Sequence, residues 1–220
     1  MTQATSDTLF HTLLTVIDYH VDKSGGTQST YVLGTHTSLP GAKSFSKRAL
    51  RELGYEKDDF STYEEASSAS GTEWTHGDGV IVHAKAPAGQ VFNVSLDTKP
   101  NTEKLPTGEN DEPKLPPGSD HLHYVLQTQI DYNKDRNGAE QTTEVQGTYV
   151  RRADAMIAAK GLLNKSDYEE YDERDENDMT GKWEYGEDVV VHAVSSNGEN
   201  FDISVRTVPG AHKRHGKKKA

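Results

Sequence analysis

The 220-residue chain contains no cysteine, which excludes disulfide bonds, thiol catalysis and cysteine-based zinc sites. It has no apolar run near the roughly 20 residues that cross a bilayer, and its first seven residues are polar, so we predict neither a membrane helix nor a signal peptide. Hydrophobic residues make up only 32% of the chain, which predicts small cores and long loops. From these absences we expect a cytoplasmic protein.

Several motifs of catalysis and cofactor binding are missing too. Residues 77–79 lack the third glycine of a dinucleotide fingerprint, and there is no Gly-Lys-Ser/Thr, Gly-x-Ser-x-Gly or His-Glu-x-x-His. Residues 131–135 begin like a calcium loop, but Arg136 replaces the turn glycine and Thr142 the bidentate glutamate. We therefore predict no catalytic residue, no metal site and no cofactor.

The charge of the chain is strongly unbalanced, with a formal net charge of −11. Such a field repels nucleic acid and anionic membranes and favours basic partners. The C-terminal residues 210–220 are the exception, because they form a basic tail that we expect to be disordered. This tail allows weak contact with nucleic acid and resembles a nuclear localisation signal, so a nuclear location is the alternative to a cytoplasmic one.

An internal duplication is the main positive feature of the sequence. Residues 17–19 (Ile-Asp-Tyr) recur as residues 130–132, and this first part of the repeat is separated by 113 positions. After a loop of different length, Trp74 and the segment Val-x-Val-His-Ala recur at a separation of 109. The predicted organisation is a flexible N-terminus (1–8), repeat unit 1 (9–99), a linker rich in proline and glycine (100–118), repeat unit 2 (119–209) and the basic tail (210–220).

Each unit has the sequence pattern of an α+β fold. Alternating strands precede and follow a segment with helical spacing, and Gly25-Gly26 and Asn137-Gly138 mark hairpin turns. The predicted architecture is two tandem ββαββ units, each a four-stranded antiparallel sheet with the helix packed on one face. The opposite face of each sheet is then left for water or for a partner.

The two units differ on the face that we expect to lie away from the helix. Unit 2 is polar there, with Gln127, Gln129, Glu144 and Gln146. The apolar patch of unit 1 consists of Leu14, Val16, Tyr31, Leu33 and Ile81. A contiguous exposed apolar patch usually marks an interaction surface. Three occupants are open: unit 2 or the linker within the chain, a second copy in a homodimer, or a different protein.

The loop after each helix is acidic and contains aromatic residues, namely Phe60, Tyr63, Tyr168 and Tyr171. It is either a solvated charged loop or a contact for a basic protein, with the rings as anchors. The leading hypothesis is a non-enzymatic interaction module that uses the apolar patch of unit 1. One alternative is an acidic, chaperone-like binder of basic proteins. The other is a small-molecule or metal-dependent enzyme with a site between the units.

Overall fold

The computed structural model of the chain describes residues 5–66, 74–175 and 183–209. These residues divide into two compact units, and the division falls between Leu115 and Pro116. Each unit is α+β, with one helix and a five-stranded antiparallel sheet. None of the helices in the described ranges is long and apolar enough to cross a membrane.

Unit 1 has the chain order ββαβββ, with the strands arranged β2-β1-β5-β4-β3 across the sheet. Its elements are β1 (Thr8–Asp18), β2 (Gln28–His36), α1 (Leu39–Glu52), β3 (Thr62–Glu65), β4 (Val80–Lys85) and β5 (Gln90–Pro100). The first and last strands of the unit therefore pair at the centre of the sheet, where Thr8 lies opposite Pro100.

Unit 2 repeats this topology with the order β7-β6-β10-β9-β8. Its elements are β6 (His121–Asp131), β7 (Gln141–Tyr149), α2 (Arg152–Lys160), β8 (Glu170–Glu173), β9 (Val189–Val194) and β10 (Glu199–Pro209). The main difference between the units is helix length, since α1 has 14 residues and α2 has 9. Gly161 follows α2 directly, and glycine has a low helix propensity.

The predicted α+β class is confirmed, but the prediction of four strands per sheet was wrong because each sheet has five. The additional strands are β3 and β8, which lie in the segments interpreted as acidic loops. Each has only four residues and pairs with one neighbour, at the edge of its sheet. Such short strands, rich in carboxylates, carry too little hydrophobic alternation to be recognised from sequence.

Helix α1 packs on the side of the sheet that carries Leu14, Phe92 and Val94, and these side chains form one core with Phe45 and Leu50 of the helix. Ser38 caps the N-terminus of the helix, because its hydroxyl accepts a hydrogen bond from the Gly41 amide at 3.1 Å.

The segment that we predicted to be a linker contains residues that pack on unit 1. Asn101 is buried, and its side-chain amide donates to the carbonyl oxygens of Ser6 at 2.8 Å and Leu105 at 2.9 Å. Farther along, Asp111 accepts two hydrogen bonds from the residues before helix α1. Its backbone carbonyl accepts from the Thr37 amide at 2.7 Å, and its side-chain carboxylate accepts from the Ser38 hydroxyl at 2.6 Å. Part of the segment thus supports the start of helix α1.

Candidate functional site

The apolar patch predicted on unit 1 lies on the same side of the sheet as the helix. Leu14 and Leu33 are buried in the core, with 4% and 9% of their surfaces exposed, and Val16 and Ile81 pack against that core. Tyr31, opposite Leu14 in the sheet, is 47% exposed. The expectation that this patch faces away from the helix was therefore wrong, and most of it is not available to a partner.

Two β-bulges explain the wrong face assignment of Leu33 and Ile81, whereas on β1 the neighbours Leu13 and Leu14 are both buried, so that strand has no exposed face to recognise there. The β1–β2 register shifts so that Leu33 is an extra residue, and the β4–β5 register shifts in the same way at Ile81. Unit 2 has the corresponding shifts between Val125 and Leu126 and between Ile203 and Ser204. A bulge breaks the period of two, so the residues before and after it no longer alternate between faces in one register.

The two units also differ in the length of the helix beside the strand positions that are apolar in unit 1 and polar in unit 2. The last turns of α1 place Ala49 and Leu50 in the core beside Leu14 and Leu33. Helix α2 ends at Lys160, which corresponds to Lys47, and Leu162 and Leu163 pack against the unit 2 core from the segment that follows it. The strand positions in question are polar in unit 2, and Glu144 is exposed.

The aromatic residues of the acidic segments also face the cores. Phe60 is buried and contacts the Phe92 ring edge-on at a centroid distance of 5.4 Å. Tyr168 stands in the same position in unit 2 and contacts Phe201 at 5.5 Å. Tyr63 and Tyr171 are half-buried and pack against their cores. The carboxylates of these segments thus face solvent, but the four rings are mainly structural.

A cluster of ring side chains recurs in both units on the sheet strands. In unit 2, the Tyr185 ring stacks on His192 with centroids 3.8 Å apart, and His192 Nδ1 lies 2.7 Å from Asp202 Oδ1. Unit 1 has His76 stacked on His83 at 3.8 Å, and His83 Nδ1 lies 2.7 Å from Asn93 Oδ1. Unit 1 has Asn93 at the position of Asp202 in unit 2, so the hydrogen bond to the histidine is present in both units but the carboxylate charge only in unit 2.

The protonation of the unit 2 cluster suits a structural role. The hydroxyl of Tyr185 donates to Asp172 at 2.7 Å, and this bond raises the pKa of Tyr185 to about 12. The phenol is therefore a neutral donor at pH 7 and cannot act as a base. Burial raises the pKa of Asp202. The hydrogen bond between His192 and Asp202 links strands β9 and β10, and within the described ranges no hydroxyl group is bonded to His192.

Metal binding receives no support from the part of the chain that the structure describes. No group of three or more potential histidine or carboxylate ligands comes together there. The carboxylate of Asp131 accepts hydrogen bonds from the backbone of Asn133 and Lys134, and Asp22 does the same for Ser24 and Thr27. These aspartates order their own turns, as expected for short polar side chains in hairpins.

The structure shows a cleft in unit 1 between helix α1 and strand β3, with a volume of about 650 Å³. We call it the α1–β3 cleft. Its lining includes four cations and two tyrosines: Lys47, Arg48, Arg51, Lys57, Tyr55 and Tyr63. Three acidic residues, Glu56, Asp58 and Glu65, complete its charged lining. A cationic and aromatic cleft is notable because the chain as a whole has a net charge of −11.

Part of the positive charge in the cleft is compensated and part is not. Lys57 Nζ lies 2.7 Å from Glu65, which raises the pKa of Lys57, and it stands 4.8 Å from the centroid of the Tyr63 ring. Arg48 pairs with Glu52 at 3.3 Å along the helix. The guanidinium of Arg51 makes no hydrogen bond or ion pair with the described residues. Arg51 is therefore available for an anion, and half-exposed Arg48 can exchange its solvent-screened partner at little cost.

Unit 2 lacks the cationic lining of this cleft because of its shorter helix. The position that corresponds to Arg48 is Gly161, directly after α2, and Arg51 has no helical counterpart, since Asn164 begins the short 3-10 helix of unit 2 as Glu56 does in unit 1. The sequence analysis missed the cleft, although lysine and arginine at positions 43, 47, 48 and 51 give a visible basic stripe at helical spacing.

Comparison with known proteins assigns no family to the chain: no family model matches it, and no curated protein or solved structure is significantly similar. Its candidate site therefore has to be judged on geometry and charge alone.

Proposed function

We propose that the protein is a non-enzymatic interaction module and that unit 1 binds an acidic protein segment in the α1–β3 cleft. The observation that carries the proposal is the concentration of cations and tyrosines in one cleft of a strongly acidic chain. Unit 2, which has the shorter helix, lacks this cationic lining, so the lining is a feature of unit 1. The proposal keeps the idea that unit 1 is the binding copy and moves the contact from the strand patch to the cleft.

The chemistry of the cleft suits carboxylates carried on an extended chain. Arginine side chains form forked hydrogen bonds with carboxylates, and such charge-assisted bonds are about twice as strong as neutral ones. Tyr55 is 38% exposed at the rim and offers a rigid surface for apolar or ring contacts. Arginine and tyrosine are also the residue types most enriched in the energetic centres of protein interfaces.

The proposal is tested with a fluorescein-labelled peptide of eight alternating glutamates and tyrosines. We expect fluorescence anisotropy to show saturable binding to the wild-type protein. The double substitution Arg48→Glu and Arg51→Glu should weaken it by at least about tenfold, since two charge-assisted contacts are lost.

The matched control is Lys23→Glu/Lys114→Glu, which makes the same double charge reversal at two exposed lysines of unit 1 outside the cleft. It should leave peptide affinity within about twofold, because exposed charges separated by more than a Debye length are largely screened. If both variants weaken peptide binding equally, the loss of affinity comes from net charge and not from the cleft, and the cleft proposal is wrong. The same holds if the wild type does not bind the peptide.

A further inference from the structure

A complementary acidic surface lies on unit 2 at strand β8. This strand is at the edge of its sheet, and no strand among the described residues pairs with its outer side. We define the acidic edge as Glu169, Glu170, Asp172 and Glu173, whose side chains are all exposed.

Two carboxylates of the acidic edge are uncommitted. Glu173 pairs with Lys160 at 3.0 Å, and Asp172 accepts from the Tyr185 hydroxyl at 2.7 Å. The side chains of Glu169 and Glu170 make no hydrogen bond or ion pair with the residues that the structure describes. Unit 2 therefore presents free negative charge on an exposed strand, while unit 1 presents a free guanidinium in a cleft.

The spacings of the two surfaces are compatible. Alternate residues of a strand, such as Glu170 and Asp172, point to the same side and lie about 6.6 Å apart. Residues three apart on a helix, such as Arg48 and Arg51, have Cβ atoms about 5–6 Å apart. Flexible arginine side chains can close a difference of this size, so the free carboxylate of Glu170 can meet one guanidinium group while Asp172, which keeps its bond from Tyr185, meets the other.

We propose that the α1–β3 cleft of one copy receives the acidic edge of unit 2 from a second copy of the chain. The proposal rests on the function proposed above, since it names the acidic segment that the cleft binds. The two surfaces differ, so two copies either satisfy both contacts reciprocally in a closed two-fold dimer, or meet head-to-tail and extend into rings or open filaments.

The test uses light scattering on a sizing column over a range of protein concentrations. We expect the wild-type mass to rise with concentration beyond that of a monomer. The cleft variant Arg48→Glu/Arg51→Glu and the edge variant Glu169→Lys/Glu170→Lys should each remain monomeric. Their equimolar mixture should form at least a 1:1 complex, because it restores one wild-type cleft facing one wild-type edge.

Both variants change exposed or half-exposed residues, and circular dichroism with thermal unfolding verifies that they are folded. If either variant on its own still associates like the wild type, or if the mixture stays monomeric, the proposed contact between the α1–β3 cleft and the acidic edge is wrong. A monomeric wild type that still binds the glutamate–tyrosine peptide refutes the self-association alone. A monomeric wild type that does not bind the peptide refutes the proposed function as well.

Discussion

His11 is a fully buried titratable side chain at the centre of the unit 1 sheet. Its Nδ1 lies 2.9 Å from the Thr35 hydroxyl oxygen, and burial lowers its pKa to about 4, against the opposing effect of Asp97. The folded state therefore binds fewer protons than the unfolded state between pH 4 and 6.5. Stability from this group is complete above pH 6.5 and is lost as the pH falls through that window.

We expect acidification from pH 7 to pH 4 to cost about 3 kcal/mol through His11, because one pKa unit corresponds to about 1.4 kcal/mol. Urea denaturation at both pH values measures the loss. His11→Tyr, which copies Tyr124 at the equivalent position of unit 2, should remove this part of the pH dependence. The exposed His20→Tyr should retain it. A pH profile of His11→Tyr parallel to the wild type would contradict the assignment.

The longer helix of unit 1 packs on a strand position that is polar in unit 2. Helix α1 covers Leu33, whereas α2 is five residues shorter and the corresponding position is Gln146. We expect Leu33→Gln to lower the free energy of unfolding of unit 1 by about 2–4 kcal/mol, because it buries an amide and removes apolar packing.

Urea denaturation followed by circular dichroism measures this change, and Tyr31→Glu is its control. That substitution also copies unit 2, at Glu144, but at a side chain that is 47% exposed, so a loss below about 1 kcal/mol is expected. Equal losses from both substitutions would mean that helix coverage does not separate the two positions.

The sequence predicts the elements better than their faces. The duplication, the helices and the long strands follow from repeat matching and periodicity. The side assignment of Leu33 fails because a bulge leaves no local signal that separates it from regular alternation. That of Leu14 fails because its neighbour Leu13 is buried as well. Strand β3 is missed because its residues become a strand through pairing with β4. The cleft in turn needs that strand in place beside Arg48 and Arg51, so only the folded unit reveals it.

The whole molecule carries enough negative charge to oppose its own assembly. At about 10 mM salt the Debye length is about 30 Å, and two copies with a net charge of −11 repel each other over most of their surfaces. Near 0.15 M salt the Debye length is about 8 Å, so the long-range repulsion is screened but the short contacts between charges in the cleft are not. At 1 M salt the Debye length is about 3 Å, and the contacts in the cleft are weakened as well.

We therefore expect the associated fraction to be largest near 0.15 M salt and smaller at both extremes. Sedimentation velocity at the three salt concentrations measures it at one fixed protein concentration. The cleft variant should be monomeric throughout. Association that rises steadily up to 1 M salt would indicate an apolar interface and would count against the electrostatic contact.

Because the first and last strands of each unit pair with each other, the order in which the chain is synthesised affects its folding. Strand β1 is made early but must wait for β5, about 80 residues later, which at roughly 5–20 residues per second takes several seconds. Because β5 precedes β6 and leaves the ribosome first, the nascent β1 can pair with β5 before the strands of unit 2 emerge. In a denatured chain the strands of both units are present from the start. During refolding, strands of one unit can therefore pair with strands of the other, which synthesis in order avoids.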